Sequence, residues 1–187
     1  AQAGPVESGH WLEMRWNRRS ADWIVNLDLD DISPRFRNDN GFVDQAGVRR
    51  AEIEVVRRWG EAALPGFVAH EFETFLWTRH VATRDDAAAG VAGGQTVSSQ
   101  WHPGLWFAGP RGSEGFVLLE VDAERVRPGG RLHPLRGVAA HVALNPAPWM
   151  PRLATEVALG DRIDVEADRV GRGGWGYVEA NLRGSVG

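Results

Sequence analysis

The chain of 187 residues contains no cysteine and no lysine, and all 21 of its basic residues are arginine. The absence of cysteine excludes disulfide frameworks, thiol catalysis and cysteine-ligated zinc sites. The absence of lysine excludes a Schiff-base lysine and a phosphate-loop lysine. Tyrosine occurs once, whereas tryptophan occurs nine times. The formal net charge of −4 is too small to favour a nucleic-acid partner.

The sequence also lacks long apolar runs and the helical period of 3.6 residues. No apolar run approaches the ~20 residues that a membrane-spanning helix needs. The period is two residues instead, as in "RAEIEVVRRW", "VAHEFETFLWT" and "GFVLLEVDAERV", and this alternation is typical of β-strands. A chain of strands crosses a membrane only as a closed β-barrel.

Charged residues recur on one face of these predicted strands, while the other face stays nearly free of charge. Several alternating runs reach ~9–11 residues, the length of a tilted membrane strand, whereas strands of soluble domains are about 5–6 residues long. The pattern therefore predicts an all-β fold, an antiparallel meander of about eight or nine strands that forms part of a transmembrane-type β-barrel. Residues 1–187 are expected to form a single β-barrel domain or a fragment of one.

Turn signals rich in glycine and proline separate the predicted strands. They are "LPG", "GPRG", "RPGG", "NPAPWMP", "LGDR" and "GRGGWG". "LGDR" lies between two alternating runs and predicts a tight hairpin turn. The stretch "RDDAAAGVAGGQ" predicts a longer loop.

The stretch "SPRFRNDNGFV", residues 33–43, has some features of a calcium-binding loop. If Gly41 takes the sixth position of such a loop, Phe36 and Gly47 fall at positions where ligands are required. The stretch therefore favours an Asx-type turn in which Gly41 supplies a positive φ. A cation bound by a looser group of acids remains an alternative, with the candidates Asp28, Asp30, Asp31, Asp39 and Asp44.

The same stretch also carries a family resemblance. A strand that ends in the pattern D-x-S/G-P-x-F-R-x-D-x-G-F-V, followed by a basic second strand, resembles a bacterial outer-membrane family. That family is the β-barrel domain of unknown function that commonly follows a family-9-type carbohydrate-binding module. The matching positions are Asp31, Ser33, Pro34, Phe36, Arg37, Asp39, Gly41, Phe42 and Val43.

The resemblance implies a barrel in the outer membrane of a Gram-negative bacterium, in contact with lipid and linked to carbohydrate binding or uptake. It implies no catalytic residues, and the sequence predicts no cofactor, no metal and no enzymatic activity. In such a barrel, apolar side chains face lipid and charged side chains line a wet lumen. The residues expected to line the lumen are Arg50, Glu52, Glu54, Glu71, Glu73 and Glu120.

Two alternatives stay open. A soluble β-sandwich or jelly roll would bind glycans or hydrolyse them, with Glu71 and Glu73 as the carboxyl pair. Retaining glycosidases hold their two carboxyl groups ~5–5.5 Å apart, which residues two apart on a strand roughly satisfy. The nine tryptophans suit sugar stacking in either case. The third possibility is a structural barrel that transports no ligand.

Overall fold

The computed structural model describes residues 9–36 and 46–184, and these residues form nine β-strands. The strands are Trp11–Arg19 (β1), Trp23–Ile32 (β2), Val48–Leu64 (β3), Phe67–Thr83 (β4), Thr96–Ala108 (β5), Glu114–Arg125 (β6), Leu132–Leu144 (β7), Arg152–Asp164 (β8) and Arg169–Asn181 (β9). Within the two described ranges the only helical element is a 3-10 turn at Pro110–Gly112. No described helix has the length and apolarity to cross a membrane.

The nine strands form one sheet in which every strand pairs with its neighbours in the chain. The order is β1-β2-β3-β4-β5-β6-β7-β8-β9, and all eight pairings are antiparallel. The predicted all-β antiparallel meander is therefore confirmed. The longest strands, β3 and β4, have 17 residues each. Strands β1 and β9 form the two edges of the sheet.

Most of the predicted turns connect strands as expected. Pro65 and Gly66 alone join β3 to β4, with Gly66 at a φ of +92°. A type II turn requires this positive φ at its third residue, directly after proline. "GPRG", "RPGG" and "NPAPWMP" lie between later pairs of strands, and residues 84–95 form the predicted loop between β4 and β5.

Two predicted turns are wrong. "LGDR" lies inside β8, where Gly160 pairs with Gly137 on β7, and "GRGGWG" lies inside β9. The connection between β8 and β9 is residues 165–168, which contain neither glycine nor proline; Asp168 there adopts a φ of 48°. A Cβ on Gly160 would lie 2.5 Å from the carbonyl oxygen of Arg136. The glycine permits close approach of a neighbouring strand, so it does not mark a turn.

The pairing register divides the side chains of the sheet into two faces. Residues paired across an antiparallel ladder point to the same side, and successive residues of a strand point to opposite sides. We call one side the charged face; one row of paired residues across it is Arg15, Asp28, Glu52, Arg79, Gln100 and Asp122. We call the other side the apolar face; the adjacent row there is Trp16, Leu27, Ile53, Thr78, Trp101 and Val121.

Burial is concentrated on the charged face. Every buried apolar residue among those described lies on that side: Ile24, Ile32, Val48, Val56, Ala69, Val81, Ala139, Ala143, Ala154 and Ala158. Large side chains on the apolar face are exposed instead; Leu119 and Leu159 are each 54% exposed. In a single-layer sheet, only neighbours on the same face cover an alanine, so this burial indicates that the sheet curls toward its charged face.

Candidate functional site

All six side chains predicted to line a lumen lie on the charged face. Arg50, Glu52 and Glu54 alternate along β3 and pair with Asp30, Asp28 and Asn26 of β2. The other three, from β4 and β6, share that face by the pairing register: Glu71, Glu73 and Glu120. The structure therefore brings the six to one surface, while their place in a water-filled lumen stays a prediction.

Cross-strand contacts hold several of these charges in place. The guanidinium of Arg50 lies 2.7 Å from the Asp30 carboxylate. The side-chain amide of Asn26 donates a hydrogen bond to Glu54 at 2.6 Å. Each of these contacts gives a hydrogen-bonding partner to a polar group that neighbouring side chains partly shield from water. The charged face is thus a network of ion pairs and hydrogen bonds that extends across many strands.

One ion pair passes over an intervening strand. Glu120 on β6 and Arg162 on β8 meet at 3.3 Å between Oε2 and Nη1. Strand β7 lies between them, and Gly137 faces the Glu120 carboxylate at the crossing point. A side chain at position 137 would occupy the space that this carboxylate fills. The glycine therefore allows the ion pair to form across the face.

A depression on the charged face has a volume of about 770 Å³. It lies over β3 to β6 and combines four aromatic side chains with three carboxylates and one guanidinium. The residues that line it are Glu54, Val56, Arg58, Glu71, Glu73, Phe75, Trp77, His102, Trp106, Phe116 and Leu118. Pockets that bind small molecules have this character, mostly apolar with a few polar groups that fix orientation.

Hydrogen bonds fix one wall of the depression. The indole N–H of Trp77 donates to the Glu52 carboxylate at 2.9 Å. The Trp77 ring packs against the His102 ring with centroids 5.0 Å apart. Nε2 of His102 lies 3.0 Å from Oδ1 of Asp122. The Trp77 ring is consequently oriented before any ligand arrives.

Glu71 and Glu73 differ in how strongly the protein engages them. Arg58 donates from Nε to Glu73 at 2.9 Å, and the Glu73 side chain is 16% exposed. The same nitrogen lies 3.9 Å from the nearer Glu71 oxygen, beyond hydrogen-bond distance, and the Glu71 side chain is 44% exposed. Both carboxylates therefore meet one guanidinium, but Glu71 is the one that faces open space.

The residues that carry the family resemblance lie partly inside and partly outside the described ranges. Arg37, Asp39, Gly41, Phe42 and Val43 lie outside the described residues. Pro34 begins a turn in which the Phe36 N–H donates to the Ser33 carbonyl at 3.1 Å. Phe36 then packs against a small apolar cluster of Ile32, Val48 and Val81 and lies edge-on to Trp11. The described part of the motif thus closes one end of the sheet by packing.

The acids considered for a cation do not converge in the described ranges. Asp28 and Asp30 lie on the charged face, whereas Asp31 lies on the opposite face by the register of β2. Asp31 contacts Arg49 at 3.3 Å and Arg84 at 3.2 Å. No group of three potential metal ligands occurs within residues 9–36 and 46–184. Asp39 and Asp44 lie outside those ranges.

Several residues of the depression were not predicted from the sequence, namely Arg58, Phe75, Trp77, His102, Trp106, Phe116 and Leu118. A usable signal was present in "HEFETFLW". Counting by two from Glu71 leads through Glu73 to Phe75 and Trp77, so a strict period of two places these aromatic residues with the acids. The stretch "HPGLWF" lies in the middle of β5, where Gly104 leaves room for the Phe75 ring.

Comparison with known proteins adds no relative: no protein-family model, no curated protein and no solved structure matches this chain. Function is therefore inferred from the chemistry of the two faces and of the depression.

Proposed function

We propose that this chain forms the wall of an outer-membrane β-barrel in a Gram-negative bacterium. The apolar face would lie against lipid, and the charged face would line a water-filled interior. The observation that carries the proposal is the reversed exposure of the two faces. Leucine and tryptophan side chains are exposed on the apolar face, while the buried residues lie among the charges.

Water is a poor solvent for this apolar face. The exposed apolar side chains continue across the sheet from Leu12 and Met14 on β1 to Val178 on β9. Soluble monomers rarely expose contiguous apolar patches of more than a few hundred Å². Lipid covers such a surface without a second protein layer. Lumen charges, in turn, remain hydrated on the other side of the wall.

Strand length supports the same assignment. A tilted strand needs ~9–11 residues to cross a bilayer. The shortest strands here, β1 and β2, have 9 and 10 residues, and the others have 12 or more. All nine are therefore long enough to span.

Aromatic residues at one margin of the apolar face support an interfacial position. The Arg57 guanidinium lies 5.0 Å from the Trp23 ring centroid and 5.1 Å from that of Trp59. Both tryptophans are exposed. Membrane barrels carry aromatic girdles at the two lipid–water boundaries, where amphipathic rings and arginine contact head groups.

Closure of the proposed barrel is constrained by strand direction. In a meander of nine strands, the edge strands β1 and β9 run in the same direction. Direct pairing of the two edges would be parallel. Antiparallel closure would require an odd number of further strands between them. The edge strands are exposed along their whole length, which suits either form of closure.

The depression supports the carbohydrate part of the proposal. Sugar rings present apolar C–H faces that stack on aromatic side chains, and their hydroxyl groups bond to carboxylates and guanidinium groups. Trp77, Trp106 and Glu73 offer these groups together. The proposed mechanism is passive: the lumen binds and filters the saccharide, and no covalent chemistry occurs.

The same depression favours one competing function, a soluble glycan-binding protein or a glycoside hydrolase that uses Glu71 and Glu73. The two functions make opposite demands on the apolar face, because a soluble protein must cover it with protein. They also differ in turnover, since only the hydrolase releases reducing ends from an oligosaccharide.

Heat-modifiable gel mobility tests the barrel. The protein is expressed with an export signal, recovered from the outer-membrane fraction and run with and without boiling. A closed barrel keeps its fold in detergent until it is boiled, so the unboiled band should migrate differently. Recovery in the soluble periplasmic fraction, with one mobility in both samples, would overturn the proposal in favour of the soluble glycan-binding protein.

A further inference from the structure

We infer that the depression on the charged face prefers saccharides that carry protonated amino groups over neutral or acidic saccharides. This inference rests on the proposed carbohydrate function and specifies its ligand class. It is carried by three features of the depression, which are the balance of its charges, the availability of one carboxylate and the position of its aromatic rings.

The charges that line the depression favour a cation. Three carboxylates, Glu54, Glu71 and Glu73, face it together with one guanidinium, that of Arg58. Arg58 is engaged with Glu73 through its Nε. An acidic sugar would therefore meet a surplus of negative charge, while an ammonium group would be attracted to it.

Of the three carboxylates, that of Glu71 is the least engaged by the described residues. Glu54 accepts a hydrogen bond from Asn26, and Glu73 accepts one from Arg58. Glu71 accepts no hydrogen bond from the described residues, and its side chain is nearly half exposed. An ammonium group offers three donors and no acceptor, so it matches a carboxylate that has an arginine nearby but accepts no hydrogen bond within the described residues. The resulting bond is charge-assisted and stronger than one from a hydroxyl.

The aromatic rings lie where the sugar ring would extend from such a contact. Trp106 pairs with Glu73 on one side and with Phe116 on the other. Glu71 precedes Glu73 by two residues on the same face of β4, which makes it a diagonal neighbour of Trp106. A saccharide amine at Glu71 thus places the ring over Trp106. The face of tryptophan also attracts cations directly.

Isothermal titration of the detergent-solubilised protein tests this preference. Three tetrasaccharides serve as probes: a glucosamine tetramer with free amines, its fully N-acetylated counterpart and a galacturonate tetramer. We expect the free-amine tetramer to bind most tightly and the galacturonate tetramer to bind most weakly. Replacing Glu71 by glutamine should lower the affinity for the free-amine tetramer roughly tenfold, or about 1.4 kcal/mol, since a neutral amide forms a weaker hydrogen bond with an ammonium group than a carboxylate does. Affinity for the N-acetylated tetramer should stay within about twofold, because its amide carries no charge.

Glu114→Gln is the matched control. Glu114 lies on the charged face at 45% side-chain exposure, with Arg152 3.5 Å away, but it does not line the depression. This variant removes one exposed, arginine-paired carboxylate just as Glu71→Gln does. It should leave the preference for the free-amine tetramer intact. If both variants lower it equally, the preference reflects the net charge of the face and the assignment to Glu71 falls.

The outcomes separate this inference from the proposed function. Equal affinity for the free-amine and N-acetylated tetramers would overturn the amine preference and leave saccharide binding in place. Binding of no tetramer by a protein that still shows the gel shift would overturn saccharide binding and the inference together, while the barrel would stand. A Trp106→Ala variant that lost affinity for both glucosamine-based tetramers would support ring stacking.

Discussion

The two faces of the sheet follow opposite rules. On the charged face, side chains are paired, partly buried and interspersed with alanine; Ala158 is 2% exposed there. On the apolar face, the directly preceding and following residues, Val157 and Leu159, are 42% and 54% exposed. Adjacent positions of one strand thus differ in burial in the sense opposite to their hydrophobicity.

Burial of apolar side chains within the chain therefore does not by itself explain why this sheet is stable. In an aqueous domain the larger apolar side chains would be the buried ones, because burial of apolar area stabilises by about 25 cal/mol per Å². Here the ion-pair network occupies the inner curve together with buried alanine, valine and isoleucine side chains. The outer apolar surface requires a non-aqueous neighbour, which the proposed membrane supplies.

The largest difference in stability between the two faces is expected when a leucine on each face is replaced by arginine. Leu118 and Leu119 are adjacent in β6, with Leu118 on the charged face and Leu119 on the apolar face. In a membrane barrel, Leu119→Arg should destabilise by about 2–4 kcal/mol, the cost of arginine at the bilayer midplane. Leu118→Arg should cost less, because the lumen is wet. Urea unfolding of the barrel in lipid vesicles would measure both.

If the protein is soluble instead, the order of the two losses of stability is reversed. In water, the exposed Leu119 would tolerate arginine, while the half-buried Leu118 would not. A larger loss of stability for Leu118→Arg than for Leu119→Arg would therefore contradict the membrane assignment directly.

A smaller loss of stability is expected when a side chain is added where two strands approach closely on the charged face. Gly160→Val should destabilise by about 1–3 kcal/mol, because its Cβ would meet the backbone of Arg136 and Gly137 at 2.5 Å. Gly171 in β9 is the matched control, since no heavy atom outside its immediate chain neighbours lies within 4 Å of its Cβ position. Gly171→Val should change stability by less than about 0.5 kcal/mol. Equal losses in thermal unfolding would show that the contact at Gly160 is not tight.

A smaller effect is expected at the margin of the apolar face. Arg57→Gln should lower stability by about 1 kcal/mol, because it removes the cation that lies over Trp23 and Trp59. It also removes the Arg57 contact with Asp22 at 3.2 Å. Arg18 lies on the same face and makes no ion pair within the described residues, so Arg18→Gln is the control. The same denaturant series would contradict this prediction if both variants behaved alike.

The smallest effect is a local pH dependence at the turn between β8 and β9. The Ala167 N–H donates to the Asp164 carboxylate at 3.1 Å and lowers its pKa below the ordinary value, and Arg169 acts in the same direction. A lowered pKa means that the turn is most stable above the unfolded pKa and weakens as pH falls through the folded value. The amide NMR shift of Ala167 should titrate with a midpoint below 3.8. A midpoint at or above that value would contradict the hydrogen bond.

Predictions from the sequence succeeded where local pattern and local geometry agree. Alternation in "RAEIEVVRRW" assigned Arg50, Glu52 and Glu54 to one face, and proline followed by glycine at 65–66 marked a turn. Glycine misled at 160 and at 171–176, because the same residue serves turns and close strand contacts. The alternation did not assign Phe75 and Trp77 to either face, because the apolar residues around Phe75 blur the two-residue pattern.

By itself, the sequence determined that the chain forms alternating strands, because the two-residue period of a strand directly sorts polar from apolar side chains. It determined the meander as well, because short connections between successive strands favour antiparallel neighbours. Only the tertiary structure decided which face is buried, since that depends on the direction in which the sheet curls. It alone brought Glu71, Trp77, His102 and Trp106 to one depression. Their proximity depends on the register of the hydrogen-bonded ladder between β4 and β5, which no single stretch of sequence contains.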